Sequence, residues 1–135
     1  MRHYQPDYSD VGISRERYRE LLNFCRQFGQ WIHEKNSITG LMSQSYASGT
    51  HIPGKVSDTV LQAVIRRDAL DVKIKLIQNT ATQIDHGQWY AALIQNVCYG
   101  VSVYCLRPEI LPTSNRNEFF KAKKAFFVLL DQKRG

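Results

Sequence analysis

The sequence predicts an all-α protein, a small helical domain with a long central helix and a C-terminal helix-turn-helix-like unit. Three observations lead there. Apolar residues recur at three- and four-residue steps near both ends of the chain, residues 58–85 contain no glycine or proline, and no stretch reads as a strand. A chain of 135 residues suits one domain.

Residues 1–13 are polar, are broken by Pro6 and Gly12, and predict an arm. Ser14 predicts an N-cap, with Glu16 in the first turn to meet the helix dipole. Tyr18, Leu21, Leu22, Cys25, Phe28 and Ile32 then form one stripe, which predicts a helix over residues 14–35. Gly29 lies within it and allows a bend or an early end. Residues 36–56 are rich in Ser, Thr and Gly, contain Pro53-Gly54 and keep no period. They predict a loosely packed loop, unusually long for a compact domain.

Ser57-Asp58 predicts a second N-cap, and residues 57–85 a long helix. Its stripe is Val60, Val64, Ile74, Ile77, Ala81 and Ile84, widened by Leu61, Ile65, Val72 and Leu76. At 1.5 Å per residue it spans about 40 Å, more than one small domain covers. Such a helix either packs antiparallel against the first helix or pairs with a second copy in a homodimer. Arg66, Arg67, Lys73 and Lys75 are read as its solvated charges.

Residues 88–134 predict the helix-turn-helix-like unit. Gly87 allows a break, QWYAALIQNVCY over 88–99 predicts a short buried helix, and Gly100 closes it. Ser102 caps a short piece from Val103 to Arg107, which Pro108 ends or restarts as an N1 proline. Leu111-Pro112-Thr113 is a turn, Ser114 a third N-cap, and the last helix covers about Asn115 to Gln132.

That last helix contains FFKAKKAFF, two Phe pairs with three lysines between them. On a helical wheel Phe119, Phe120, Phe126 and Phe127 make two adjacent columns of one apolar face, with Ala122, Leu129 and Leu130 beside them. Lys121 and Lys124 fall opposite, next to Asn117 and flanked by Arg116. Lys123 falls among the phenylalanines and must snorkel outward along its own methylenes.

The order of helix, glycine, short helix, turn and helix is that of a helix-turn-helix, whose second helix enters the major groove by its N-terminal residues. The candidate DNA-binding residues are Ser114, Asn115, Arg116, Asn117, Lys121, Lys124, Lys133 and Arg134. Ser114 caps a helix start whose N–H groups suit a phosphate. Asn115, Arg116 and Asn117 are the base-edge readers, because Arg pairs bidentately with guanine and Asn with adenine. Lys121, Lys124, Lys133 and Arg134 are placed on phosphates.

The totals agree with an acidic partner such as double-stranded DNA. Eighteen Lys and Arg against twelve Asp and Glu give +6 and a pI near 9.4. Cys25, Cys98 and Cys105 are odd in number and lack CxxC spacing, which speaks against a disulfide framework and a zinc site and predicts buried free thiols. The N-terminus has no signal-peptide core and no apolar run nears the ~20 residues that span a bilayer, so no membrane role and a cytoplasmic location in a bacterial host are expected. No enzyme and no cofactor are expected. Asp7, Asp10, Asp58, Asp68, Asp71 and Asp85 form no obvious pair, His3, His33, His51 and His86 have no metal spacing, and no phosphate-cradling glycine motif occurs. Trp31 and Trp89 are expected in the core, and His86-Gly87 at a helix end.

GISRERYREL, then SDTVLQAVIRRDALDVKIKLI, then CYGVSVYCL and FFKAKKAFFVLLDQK resemble small phage and prophage proteins of Firmicutes. These are similar to the RinA and ArpU late-transcription regulators, and their ends resemble region 4 of sigma factors. The resemblance spans Gly12 to Arg134 and implies a helical DNA-binding regulator of late phage genes, with host RNA polymerase as a further partner. The pattern departs at Arg107-Pro108, where a helix-turn-helix carries a small residue. Two other readings stand beside it. One is a phage protein-interaction module that inhibits or redirects a host polymerase or defence nuclease, though +6 speaks against mimicry of DNA. The other is a small packaging subunit of the terminase kind, which assembles into a ring.

Overall fold

The computed structural model describes residues 6–47 and 58–135. Among them every regular element is helical: α1 (Arg15–Arg26), α2 (Phe28–Ala47), α3 (Asp58–Gln83), α4 (Tyr90–Leu93) and α5 (Arg116–Arg134), with short 3-10 turns between and one π turn (Ile94–Cys98) that continues α4. The expected all-α class is what forms.

The core is the apolar face of α5 and what closes over it. Phe119, Ala122, Phe126, Phe127 and Leu130 are buried, as the two Phe columns predict, but Phe120 is 38% exposed. Tyr18 of α1 packs on Phe127 with ring centroids 4.9 Å apart, and Tyr8 meets Tyr18 edge-on at 5.6 Å. Trp89 reaches Phe119 at 6.0 Å. Such aromatic pairs hold their relative orientation as well as bury area. The ion pair of Arg17 Nε with Asp131 Oδ1, at 2.6 Å, ties α1 to the end of α5 across this core.

Residues 6–13 are not a loose arm. Tyr8 and Ile13 are buried, a 3-10 turn runs from Ser9 to Val11, and Gly12 turns the chain at φ 79°. The first five residues of the expected arm lie outside the described residues. Ser14 caps α1 as its position predicts, accepting from Arg17 N at 3.1 Å.

The expected helix over 14–35 divides at Gln27 rather than at Gly29, and its second part runs on to Ala47. Residues 36–47 are therefore helix, not loop; 48–56 lie outside the described residues, as does Ser57 of the expected second cap. Low intrinsic propensity is overridden here by pairing with α3. Lys35 binds Asp71 at 2.5 Å, and Glu34 pairs with Arg66. Ser37 and Thr39 turn their hydroxyls back to the carbonyls of His33 and Lys35, so they leave the helix ladder intact. The long helix thus packs antiparallel on α2, not on α1.

Only the near half of this hairpin joins the core. Trp31 is the last buried residue described on α2, and the buried residues of α3 run from Leu70 to Ala81. Beyond them Leu41, Leu61 and Ile65, and on the outer side of the buried stretch Val72, are each more than half exposed. Lys73 lies over the Trp31 ring at 5.4 Å, and Lys75 pairs with Asp71 at 2.9 Å.

α3 ends at Ile84–Gly87, where Asp85, His86 and Gly87 all take positive φ, a tight reversal at the helix end that His86-Gly87 predicts. Trp89 is buried and donates its Nε1–H to Asp85 Oδ2 at 3.1 Å. The π turn leaves the Val97 carbonyl free to accept from Arg26 Nε at 2.8 Å, which joins this segment to α1. Cys25 and Cys98 are buried free thiols, but Cys105 is exposed. The Cys98 neighbour and burial push the Cys25 thiol far above its ordinary range.

Phe127 sits where α1, α5 and the N-terminal segment meet. Phe127→Ala should lower unfolding stability by about 3–5 kcal/mol, and Phe120→Ala by well under half as much. Chemical denaturation followed by circular dichroism compares the two. Equal losses would mean that the exposed Phe120 ring is as much part of the core as Phe127.

Candidate nucleic-acid interface

The segment before α5 is built differently from a helix-turn-helix. Gly100, at φ 72°, closes the preceding helix as predicted, and Ser102 accepts from Tyr104 N at 3.3 Å. Two single 3-10 turns then carry the chain toward α5, Val103–Cys105 and Pro108–Ile110, with Pro108 starting the second. Arg107 is extended, ψ 136°, as a residue before proline must be. The piece from Val103 is short and restarts at Pro108 as an N1 proline, as the sequence predicts, so no continuous helix precedes the turn into α5. Leu106 is buried and Ile110 packs on the core, so the turns are anchored by the residues expected to point inward.

Asn115, not Ser114, caps α5. Its side chain accepts from Asn117 N at 3.0 Å and its carbonyl from Glu118 N at 3.1 Å. The cap has used those N–H groups, and Glu118 puts a negative charge in the first turn, so the helix start itself is a poorer phosphate site than its sequence suggests. Ser114 is exposed and stands one residue before the cap.

The side chains divide into two groups. Asn117 and Lys121 are exposed and Lys124 half-buried along the first turns of α5, on the side away from Phe119 and Phe126, and Arg116, also exposed, flanks them from the first turn. The Arg116 guanidinium stacks over Tyr104 at 4.2 Å, which holds it ready rather than free to swing. Lys121 pairs with Glu118 at 3.3 Å, an exposed contact of small strength. Lys124 pairs with Asp10 of the N-terminal segment. Lys133 and Arg134 do not join this group. They lie at the other end of the helix, about 18 Å beyond Lys121 at 1.5 Å per residue, and Arg134 is folded over the Phe24 ring at 3.7 Å.

Between the N-terminal segment and α5 lies an open groove of about 210 Å³. Pro6 and Tyr8 form one side; Asn117, Phe120, Lys121, Lys123 and Lys124 form the other. Tyr104, Phe120 and Lys123 join the site although the sequence does not single them out as site residues. The signal for Lys123 was its place among the phenylalanines on the wheel. Lys123 is half-buried, and no carboxylate among the described residues pairs with it. Burial, then repulsion from Arg26, lowers its pKa to about 8 from the ordinary lysine value of 10.5. Among the described residues no three of His, Cys, Asp and Glu gather as a metal-binding group, and no helix is long and apolar enough to cross a membrane.

Lys123 should titrate near pH 8 in an NMR series on its side-chain carbon resonances. Its folded pKa lies below the unfolded one, so between about 8 and 10.5 the unfolded chain holds the extra proton. Its contribution to stability therefore rises with pH across that window. Lys123→Met should remove that part of the pH dependence of the thermal midpoint. A variant with the same pH profile as the parent would put Lys123 in water.

No protein-family model, no curated protein and no solved structure matches this chain.

Proposed function

We propose that this protein binds double-stranded DNA through the start of α5, in the manner of a transcription regulator. One observation carries the reading. The burial of Phe119, Phe126 and Phe127 turns Asn117, Lys121 and Lys124 to one outward side of the same helix, and Arg116, exposed in its first turn and stacked on Tyr104, flanks that side. Together they offer a bidentate guanine reader, an adenine reader and two phosphate cations within about two turns, with +6 overall to draw a polyanion. Arg116, held by Tyr104, and Asn117 are the base-edge pair, and Lys121 and Lys124 the phosphate pair. Glu118 and Asp10 are displaced from these lysines when phosphates arrive, exchanging weak surface pairs for contacts that release counterions. Late phage genes as the target, and host RNA polymerase as a second partner, rest on the sequence resemblance alone.

Fluorescence anisotropy with random duplex DNA across a salt series tests this. Lys121→Ala with Lys124→Ala should weaken binding to every sequence and flatten the log–log salt slope by about 2. Arg116→Ala or Asn117→Ala should instead relax sequence preference, by about 1–3 kcal/mol at one base pair. Absence of binding at low salt, or both variants behaving as the parent, would sink the reading.

A second reading, a protein-interaction module, draws on the far half of the α2–α3 hairpin. Leu61, Ile65 and Val72 lie on one side of α3 and are each at least half exposed. This is also the side that would pair in a homodimer. Sedimentation equilibrium of the parent and of Ile65→Glu checks the homodimer. A dimer that Ile65→Glu turns into a monomer supports self-pairing; a parent that is monomeric at high concentration removes it.

A further inference from the structure

The groove beside α5 holds three ammonium groups, and the pairing is uneven. Lys121 has Glu118 at 3.3 Å, and Lys124 has Asp10. Lys123 has no carboxylate among the described residues, and the Arg26 charge acts against it. A half-buried cation without a partner is unfavourable, and an anion entering the groove removes the penalty. An apolar surface beside it is the exposed part of Phe120, which is 38% exposed, with Pro6 across the groove. Phe120 is braced edge-on by the buried Phe119 ring at 5.8 Å, so it is a fixed surface. Asn117, exposed at the groove's edge, adds an amide that both donates and accepts.

These features specify a ligand with one compact negative charge and one planar ring. A groove of about 210 Å³, open on one side, can take a base and a phosphate along its two walls but is too small for a helix of another protein. Its open side leaves a sugar in solvent. We propose that the groove between the N-terminal segment and α5 binds a nucleotide unit, its phosphate against Lys123 and its base against Phe120, with Asn117 on the base edge or the phosphate. The combination of a stacking ring and a cation is the one that single-stranded nucleic-acid sites use. The unit is either a free nucleotide or an unpaired nucleotide of a strand.

The proposed phosphate contact does not depend on the duplex reading. It is made by the groove lysine that has no carboxylate among the described residues, whereas the duplex surface uses the two paired ones; Asn117 is common to both. Binding should also be linked to the Lys123 proton. The charge acting on that lysine is Arg26 from α1; Tyr8, Lys121 and Lys124 share the groove with it, and the carboxylates Glu118 and Asp10 are held by Lys121 and Lys124. With the Lys123 pKa about 8, the charged fraction drops about tenfold between pH 7 and pH 9. A phosphate monoester stays dianionic over that range, its second pKa being about 6. Lys123→Arg keeps every other group and removes this ionisation.

Equilibrium dialysis of the full chain against AMP at pH 7 and pH 9 tests the site. The expected result is saturable binding at pH 7 that weakens about tenfold at pH 9. Adenosine should bind at least about tenfold more weakly than AMP, and Lys123→Met should lose a similar factor at pH 7. Lys123→Arg should bind at both pH values alike, and it covers the case in which Lys123→Met fails to fold. A short oligothymidylate distinguishes the sources. If it displaces AMP, the groove takes a strand's nucleotide; if it does not, the groove takes a free one. AMP that does not saturate the protein, binds no better than adenosine, or binds Lys123→Met as it binds the parent overturns the proposal. Lys121 and Lys124 line the same groove, so Lys123→Met, which leaves both in place, is the variant that separates the two readings: it should lose AMP and keep duplex binding.

Discussion

The structure depends on the burial of one side of α5. Phe119, Phe126, Phe127 and Leu130 are almost fully removed from water, and each neighbouring element is placed by its contact with them or by what packs beside them. Tyr8 and Tyr18 bring the N-terminal segment and α1 onto Phe127, and Trp89 brings the turn after α3 onto Phe119. Burial of rings this large is the largest favourable term available to a chain of this size. It also fixes the rotation of α5 about its axis. Once the phenylalanines face inward, Asn117, Lys121 and Lys124 have only one direction to face.

That rotation has a consequence at Lys123. The residue stands at the margin between the buried columns and the polar side, so its stem is drawn toward apolar surface and its ammonium is partly removed from water. The tie between Lys124 and Asp10 holds the N-terminal segment close to α5, and this closeness makes a groove of what would otherwise be an open helix face. The same contact that shapes the groove occupies one of its lysines. Lys123 keeps its charge unmatched, which is why the groove and the outward basic side have different chemistry although they share a helix.

The far half of the α2–α3 hairpin obeys another constraint. Its two helices satisfy each other through Lys35–Asp71 and Glu34–Arg66, and beyond Trp31 and toward the start of α3 no third element among the described residues covers them. A two-helix layer buries only one side of each helix. Leu61, Ile65 and Val72 are what remains outside. The apolar stripe of α3 is therefore read correctly as helical, but it is wider than the core that receives it.

The helical class, the cap at Ser14, the buried tryptophans, the breaks at Gly87 and Gly100 and the inward side of α5 arise from local chemistry: spacing of apolar residues, side chains that cap, and glycines where φ turns positive. These signals act over a few residues, so the sequence alone determines them. Tertiary contact decided the rest. Residues 36–47 are helical because α3 lies alongside, which no local propensity records. The two short turns that Arg107-Pro108 separates, a break the proline itself predicts, are held in place by Leu106 against a distant core. The partners of Lys121 and Arg116 are near in sequence, but the Asp10 that meets Lys124 and the Arg26 that repels Lys123 come from the other end of the chain. Whether a lysine is paired or alone depends on such distant neighbours, so the basic side was legible in the sequence and the groove beside it was not.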